Sequence, residues 1–474
     1  MAMHISLVGR KGLSGEIYRQ ARAAILNGKL RPGDCLPPSR ELAQALAVSR
    51  STVVAAYDRL AAEGFVTSRV GAGTFVSDEL AHMKRGTRGR ADGVLRPRAI
   101  WDSVDLPTVF EHPARFDFRT GLPDASLFPH RTWRRLVARA MRASEQAEGT
   151  YQHAAGRLSL RAAIARHIGV SRGVAASADD IVVTIGTQQA LDVLARVLLS
   201  PGDRIAIEDP GYVPPKLLFR SLGIRVVGVP VDRNGIVVDA LPRGVRAVYV
   251  TPSHQYPLAV TMTLARRQAL LAWAERNDAA IIEDDYDSEF RFGDRPVEPL
   301  ETLDSSGRVI YVGSFSKTLL PALRIGFLVV PRSLRSAVHK AMYVSHWHAP
   351  TLTQTALAYL IDDGDFARHV RRVNRIYRER HEMVARAITG DFDDHLELLP
   401  STTGLHVAAL AKSASVAQIA AVARRAAGAG VALQALSSFA VRGAGRPGIV
   451  LGYGTIHKRL IKDGLRVLRR CFDH

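Results

Sequence analysis

At 474 residues the chain exceeds the size at which a single hydrophobic core stops growing, so at least two domains are expected. Hydrophobic residues at 47% and charged residues at 23% are those of an ordinary soluble protein, and nothing resembles a transmembrane span. The formal charge of +19 favours a polyanionic partner, and residues 1–98 hold 16 Lys/Arg against 8 Asp/Glu, which makes the N-terminal segment the expected contact surface for phosphates.

Met1 to Arg10 has neither an apolar core nor a small-residue cleavage pattern, so no secretory signal is read there and the cytoplasm is the expected compartment. From Ser14 to Asn27 the apolar residues Ile17, Ala21, Ala24 and Ile25 recur at helical spacing, with Asn27-Gly28 as the stop. A second short helix is predicted from Ser39, read as its N-cap, with Leu42, Ala45 and Leu46 turned inward. Cys35 and Cys471 are too few and too far apart for a disulfide framework or a metal site, and read as bystanders.

After a tight turn at Ala47-Val48, Ser49 is predicted to cap a third helix running to about Glu63 and ended by Gly64. Two helices so joined form a helix-turn-helix, whose second member offers its first side chains to base edges. Here those are Arg50, Ser51 and Thr52. Phe65 to Val70 and Thr74 to Val76 read as two strands around Gly71-Ala72-Gly73, a hairpin that would form a wing.

Over Leu13 to Ser77 the segment resembles the GntR family of bacterial regulators. The resemblance rests on Leu36-Pro37-Pro38-Ser39-Arg40-Glu41-Leu42-Ala43, Val48-Ser49-Arg50-Ser51-Thr52-Val53 and Gly71-Ala72-Gly73-Thr74-Phe75-Val76. It implies that Arg40 and Arg50 contact phosphates, that Ser51 and Thr52 sit near bases, and that Arg69, Gly71 and Gly73 approach the minor groove of a double-stranded operator. Residues 1–80 are accordingly read as the DNA-binding domain. Residues 81–115 follow as a basic flexible linker, with Lys84, Arg85, Arg88, Arg90, Arg96 and Arg98 among Gly86, Gly89, Gly93 and Pro97.

Residues 116–474 form the second domain. Short apolar runs alternate there with helical stretches, as in a mostly parallel sheet covered on both faces: Ile181 to Ile185, Arg204 to Ile207, Val226 to Val231, Ala247 to Val250, Ala280 to Ile282, Val309 to Val312 and Gly326 to Val330. Ligands of such sheets gather at the carboxyl ends of strands. One end is Gly186-Thr187-Gln188-Gln189, a strand-to-helix junction whose free N–H groups suit a phosphate. Tyr212 brings a ring to a loop where it can stack on a flat heterocycle. The next strand delivers Asp284, which suits a pyridine nitrogen, and Tyr286, which suits a ring hydroxyl; strand alternation turns the neighbouring Asp285 away. Lys317 offers an amine for a Schiff base, and Ser314 and Arg324 offer phosphate donors.

These residues resemble the fold-type I, aspartate-aminotransferase-like superfamily, whose cofactor is pyridoxal 5'-phosphate (PLP). The resemblance implies an α/β/α domain in which Lys317 forms the internal aldimine and Asp284 pairs with the pyridine nitrogen. It further implies that Tyr286 faces the ring hydroxyl, that Tyr212 stacks, and that Gly186, Thr187, Gln188, Ser314 and Arg324 lie at the phosphate. The whole chain, with Thr251-Pro252-Ser253-His254-Gln255-Tyr256-Pro257 where ordinary aminotransferases show Asn-Pro-x-Gly, resembles the MocR/GabR subfamily of GntR-type regulators. That implies a cytoplasmic, nucleoid-associated, head-to-tail homodimer that regulates transcription in response to an amine, an amino acid or PLP itself, with no membrane partner and no metal.

Two departures bear on chemistry. Val450-Leu451-Gly452-Tyr453 stands where amino-acid-processing relatives carry an arginine that clamps the substrate carboxylate, with Arg442 and Arg446 as alternatives. Leu258-Ala259 stands where a Ser/Thr-Gly pair is common. A regulator is therefore expected rather than an enzyme, with residual transaminase activity possible; the alternative is an active aminotransferase with an appended DNA-binding domain.

Overall fold

The structure is a computed structural model and describes residues 5–7, 12–69, 71–78, 96–104, 114–145, 150–293 and 298–473. The chain divides into two compact units, Met1–Arg98 and Ala99–His474. Most of the expected linker, including Lys84, Arg85, Arg88 and Arg90, lies outside the described residues, as does Val70 of the expected wing. Ala99–Ser103 forms a short 3-10 helix of the second unit.

In the first unit, α1 (Leu13–Leu26), α2 (Ser39–Ala45) and α3 (Arg50–Ala62) precede a hairpin of β1 (Val66–Arg69) and β2 (Gly73–Val76). Ile17, Ala21 and Ile25 recur every four residues, so one face of α1 is apolar, and it packs with Leu42, Val53, Ala56, Leu60, Val66 and Val76 in one core. Gly28, with φ 75°, follows α1 in the left-handed region that glycine enters without a Cβ clash. Ser39 is the first residue of α2 rather than its cap: Pro38 holds the N-cap position and makes no side-chain cap bond. A proline fixes the extended entry to the helix but carries no side-chain acceptor. At α3 the cap is the expected one, with Ser49 Oγ accepting from the Thr52 amide at 3.2 Å.

The first strand of the second unit is β3 (Phe116–Asp117). An eight-stranded sheet follows, built from β4 (Ile181–Thr184), β5 (Arg204–Asp209), β6 (Arg225–Asp232), β7 (Gly235–Ile236), β8 (Ala247–Val250), β9 (Ala280–Asp285), β10 (Val309–Ser314) and β11 (Gly326–Val329). Their order is β4-β11-β10-β9-β8-β5-β6-β7, parallel except that β11 runs against both β10 and β4, and β7 against β6. Alternate strand residues enter different cores: Val182 packs with the helix Thr187–Leu198, while Ile181 and Val183 pack with the helices Leu158–Arg172 and Thr351–Asp362. Helices thus cover both faces, which is why the inner strands are apolar along most of their length and carry their charged residues mainly at their ends.

A second sheet, for which the sequence reading placed no strand, joins β12 (Leu396–Leu398), β13 (His406–Ala411), β15 (Gln434–Ala435) and β16 (Gly448–Gly452) in the order β12-β13-β16-β15, all antiparallel. The remaining strand, β14 (Val431–Ala432), pairs with β3. The helices Asp365–Asp391, Val416–Gly428 and Lys458–Arg470 pack on this sheet through Val384, Ile388, Val422, Ile461 and Leu465.

Candidate functional site

The reader is built first by α3. Arg50, Ser51 and Thr52 occupy its first turn, where the side chains of Arg50 and Ser51 are exposed. Arg50 Nε donates to Ser39 Oγ at 3.3 Å, which brings it beside the start of α2 and close in sequence to exposed Arg40. In the hairpin Arg69 pairs in register with Gly73, its guanidinium lies 5.2 Å from the Phe75 ring centre, and Gly71 and Gly73 hold φ values of 78° and 116°. These exposed donors and the open glycine backbone suit a phosphate chain and a groove.

In the second unit the strands β9, β10 and β4 bring their carboxyl ends together. Asp284 is buried, and it takes the Tyr249 hydroxyl on Oδ2 at 2.7 Å while Oδ1 has no partner. Burial pushes its pKa up to about 7, with Tyr249 opposing that shift and Asp285 adding to it. Asp285 faces the other way, as alternation requires, and binds Arg172 Nε at 2.8 Å and the Tyr311 hydroxyl. Lys317 follows β10 and donates from Nζ to the Gly121 carbonyl at 2.6 Å. Burial lowers its pKa; Asp287 and Asp284 pull it back up and Arg324 adds to the lowering.

Gly186 lies two residues past β4 with φ 104° and precedes the helix that begins with Thr187 and Gln188. A Cβ on Gly186 would stand 3.2 Å from the Arg324 guanidinium, so the arginine closes over the first turn of that helix. Arg324 itself takes φ 50° and keeps its head exposed. Ser314 Oγ accepts from the Ser316 amide at 3.1 Å, which orders the turn leading to Lys317. Burial raises the Tyr212 hydroxyl pKa to about 12, with the Asp284 charge adding, and its ring meets Tyr256 edge-on at 5.5 Å.

Tyr286 donates its hydroxyl to the His254 carbonyl at 2.9 Å and also lies 3.0 Å from His254 Nδ1. That nitrogen is also 3.0 Å from Asp287, so Nδ1 faces both the carboxyl and the phenol. Burial drives the His254 pKa down to about 3 and the Asp287 pKa up to about 7. The His406 ring centre lies 4.5 Å from that of His254, the two rings tilted by 44°.

Sequence reasoning did not single out Tyr249, His254, Asp287, His406, Thr120 or Gln434. A phenol inside the apolar run of β8 was a usable signal for Tyr249, and His254 lay within a motif whose individual roles had not been assigned. Nothing local marked His406 or Gln434. Val450 is fully buried on β16, between Ala408 and Gln434, while Arg442 and Arg446 are exposed in a loop. Ala259 adopts φ 62°, a region that suits the glycine common at that position.

A buried carboxylate with one unmet oxygen, an amine held at the end of a strand, and a helix start roofed by an arginine fit the pyridine nitrogen, the aldehyde and the phosphate of PLP. When bound, PLP supplies an electron-withdrawing ring and a carbon that amines attack. Residues 124–449 match the family model of class I and II aminotransferases, and residues 13–76 match that of the bacterial regulatory proteins of the gntR family. Among solved structures, an α-aminoadipate aminotransferase from Thermus thermophilus is 30% identical with a TM-score of 0.69, covering 76% of this chain and 92% of its own. A kynurenine aminotransferase from Pyrococcus horikoshii is 25% identical with a TM-score of 0.71, covering 84% and 99%.

The fold and site therefore define a PLP-binding, aminotransferase-like protein that also carries a GntR-type DNA-binding domain. The probable rhizopine catabolism regulatory protein MocR of Rhizobium meliloti is 38% identical over 96% of this chain and 93% of that protein. The pyridoxine biosynthesis transcriptional regulator PdxR of Corynebacterium glutamicum is 34% identical over 93% and 91%. The chain belongs to the MocR/GabR subfamily of GntR-type transcriptional regulators. Among the described residues no helix is long and apolar enough to cross a membrane.

Proposed function

We propose that this chain is a transcriptional regulator that senses a small amine through PLP attached at Lys317. The observation that carries the reading is the Lys317 amine, held against Gly121, lowered in pKa by burial and set among Asp284, Asp287 and Arg324, in a chain that also carries the reader. A neutral amine is the nucleophilic form, and the environment of Lys317 favours it. Lys317 would hold the cofactor's reactive carbon, where PLP would supply the site that an incoming amine attacks, and the Lys317 amine would take up the protons that the ligand's amine gives off.

Thr187, Gln188, Ser314 and Arg324 would hold the phosphate, Tyr212 would stack on the ring, and Tyr286 would meet its hydroxyl. Arg40, Arg50 and Arg69 would hold operator phosphates, with Ser51, Thr52, Gly71 and Gly73 near the bases and grooves. The protein would act in the cytoplasm as a homodimer. Self-association is supported by an exposed aromatic cluster, in which the Tyr151 and Trp347 rings stack at 4.1 Å and Tyr343 packs against Trp347 at 5.1 Å. Ligand binding changes DNA affinity only so far as it favours one dimer arrangement over another.

The test joins two measurements. Purified protein incubated with PLP should show a visible absorption band that Lys317→Ala lacks, and it should bind DNA from the region upstream of its own gene with an affinity that an amine alters. Absence of both the band and the binding would refute the reading. Sustained turnover of amino donors and keto acids would favour the aminotransferase alternative, against which the buried Val450 speaks.

A further inference from the structure

Apart from Arg324, read above as a phosphate donor, the wall formed beside Lys317 by Thr120, Tyr256, Gln434 and Val450 is polar and uncharged. Thr120, one residue before the carbonyl that Lys317 holds, donates from its amide to Gln434 Oε1 at 3.1 Å and from Oγ1 to the same oxygen at 2.6 Å. Because a backbone amide can only donate, these bonds fix which end of the Gln434 side chain is oxygen. Thr120 Oγ1 also takes the Tyr256 hydroxyl. The Gln434 amide nitrogen is left with two donors and no partner among the described residues, on a half-buried side chain.

Val450 stands opposite Gln434 in the register of β15 and β16 and packs with Leu436 and Phe439. A carboxylate laid against this wall would lose part of its hydration without gaining an ion pair. Arg119 does not supply the pair, since Asp117 holds it through Nε at 2.8 Å and Nη2 at 2.6 Å. A hydroxyl group carries no charge to desolvate, and hydrogen bonds here offset what it loses to water. It can accept from Gln434 Nε2, and a second can bond the Thr120 and Tyr256 hydroxyls.

We propose that the effector is a primary amine bearing hydroxyl groups and no carboxylate, an amino alcohol or aminopolyol, selected by Gln434 with the Thr120 and Tyr256 hydroxyls. This rests on the reading of Lys317 as the attachment point of PLP.

The experiment titrates the full-length, PLP-loaded protein with matched ligands and follows its visible absorption: serinol against L-serine, ethanolamine against glycine, and an aminocyclitol against cyclohexylamine. Each hydroxylated ligand is expected to reach half-saturation at a concentration about tenfold or more below that of its partner, a difference of about 1.4 kcal/mol. Gln434→Leu should abolish the preference of the aminocyclitol over cyclohexylamine, and Gln434→Glu, which keeps the size and loses the donors, serves if the first variant fails to load cofactor. Amino acids acting at equal or lower concentration, or no shift with any ligand, would overturn the proposal while leaving the Lys317-dependent band in place. A protein without that band would overturn the reading beneath it as well.

Discussion

The Tyr249 hydroxyl holds one oxygen of Asp284 at 2.7 Å, and the other oxygen is buried and unmet. A carboxylate so placed is costly in the absence of a cationic partner, and burial accordingly brings its pKa to about 7. The folded-state pKa is raised, so in cofactor-free protein the stability linked to this group is complete below about pH 4 and is lost as the pH climbs through 7. Glu208 and Asp287, also raised to about 7 by burial, act in the same direction. His254 and His406, lowered to about 3 by burial, act in the opposite direction, so the variant is read against the parent: the melting temperature of cofactor-free Asp284→Asn relative to the parent should rise between pH 5.5 and pH 8. Parallel melting profiles for the two proteins would show that Asp284 is not among the titrating groups.

The phosphate end is open to a test of space. Gly186 has a φ of 104°, and an added Cβ would press on the Arg324 guanidinium at 3.2 to 3.4 Å. Gly186→Ala should therefore raise the PLP concentration needed for half-loading about tenfold, a loss of about 1.4 kcal/mol, while the band at saturation keeps its position. An unchanged loading curve would place the phosphate elsewhere.

Gly404 is the tightest point behind Tyr286. A Cβ there would fall 2.0 Å from His254 Cε1, 2.1 Å from Nδ1 and 2.6 Å from Asp287 Oδ2, at a backbone φ of 81°. Both neighbours are buried and cannot swing away, so Gly404→Ala should cost about 3 kcal/mol or more, seen as a lower midpoint in urea. A shift worth less than about 1 kcal/mol would mean that the His254 and Asp287 packing is looser than the geometry indicates.

For the reader, Arg50→Ala should weaken binding to operator and unrelated DNA alike and reduce the slope of log affinity against log salt by about 1, because it removes one phosphate contact. Thr52→Ala should instead blunt discrimination between operator and unrelated sequence with little effect on the salt slope. Fluorescence anisotropy over a salt series separates the two, and an Arg50 variant with an unaltered slope would remove that residue from the phosphate contacts.

What could be read from the chain itself was local. Ser49 before α3, the glycines of the hairpin, the strand-to-helix step at Gly186, and Lys317 followed at seven residues by Arg324 each owe their meaning to neighbours a turn or a strand end away, so spacing alone exposes them. The apolar runs of the large sheet were legible for a related reason: both of its faces are covered, so successive residues of strands such as β4, β8 and β10 are all buried. The small sheet was not legible, because strands as short as Gln434–Ala435 are too brief to show alternation and take their place only by pairing with β16. The same holds for the chemistry around the motif. Tyr249 reaches Asp284 across adjacent strands, His254 meets Asp287 and His406 from three separate segments, and Gln434 finds Thr120 over 314 residues of chain. Tertiary structure alone decided those partners, because strand order and register determine which buried polar groups face one another, and neither is written in any short run of residues.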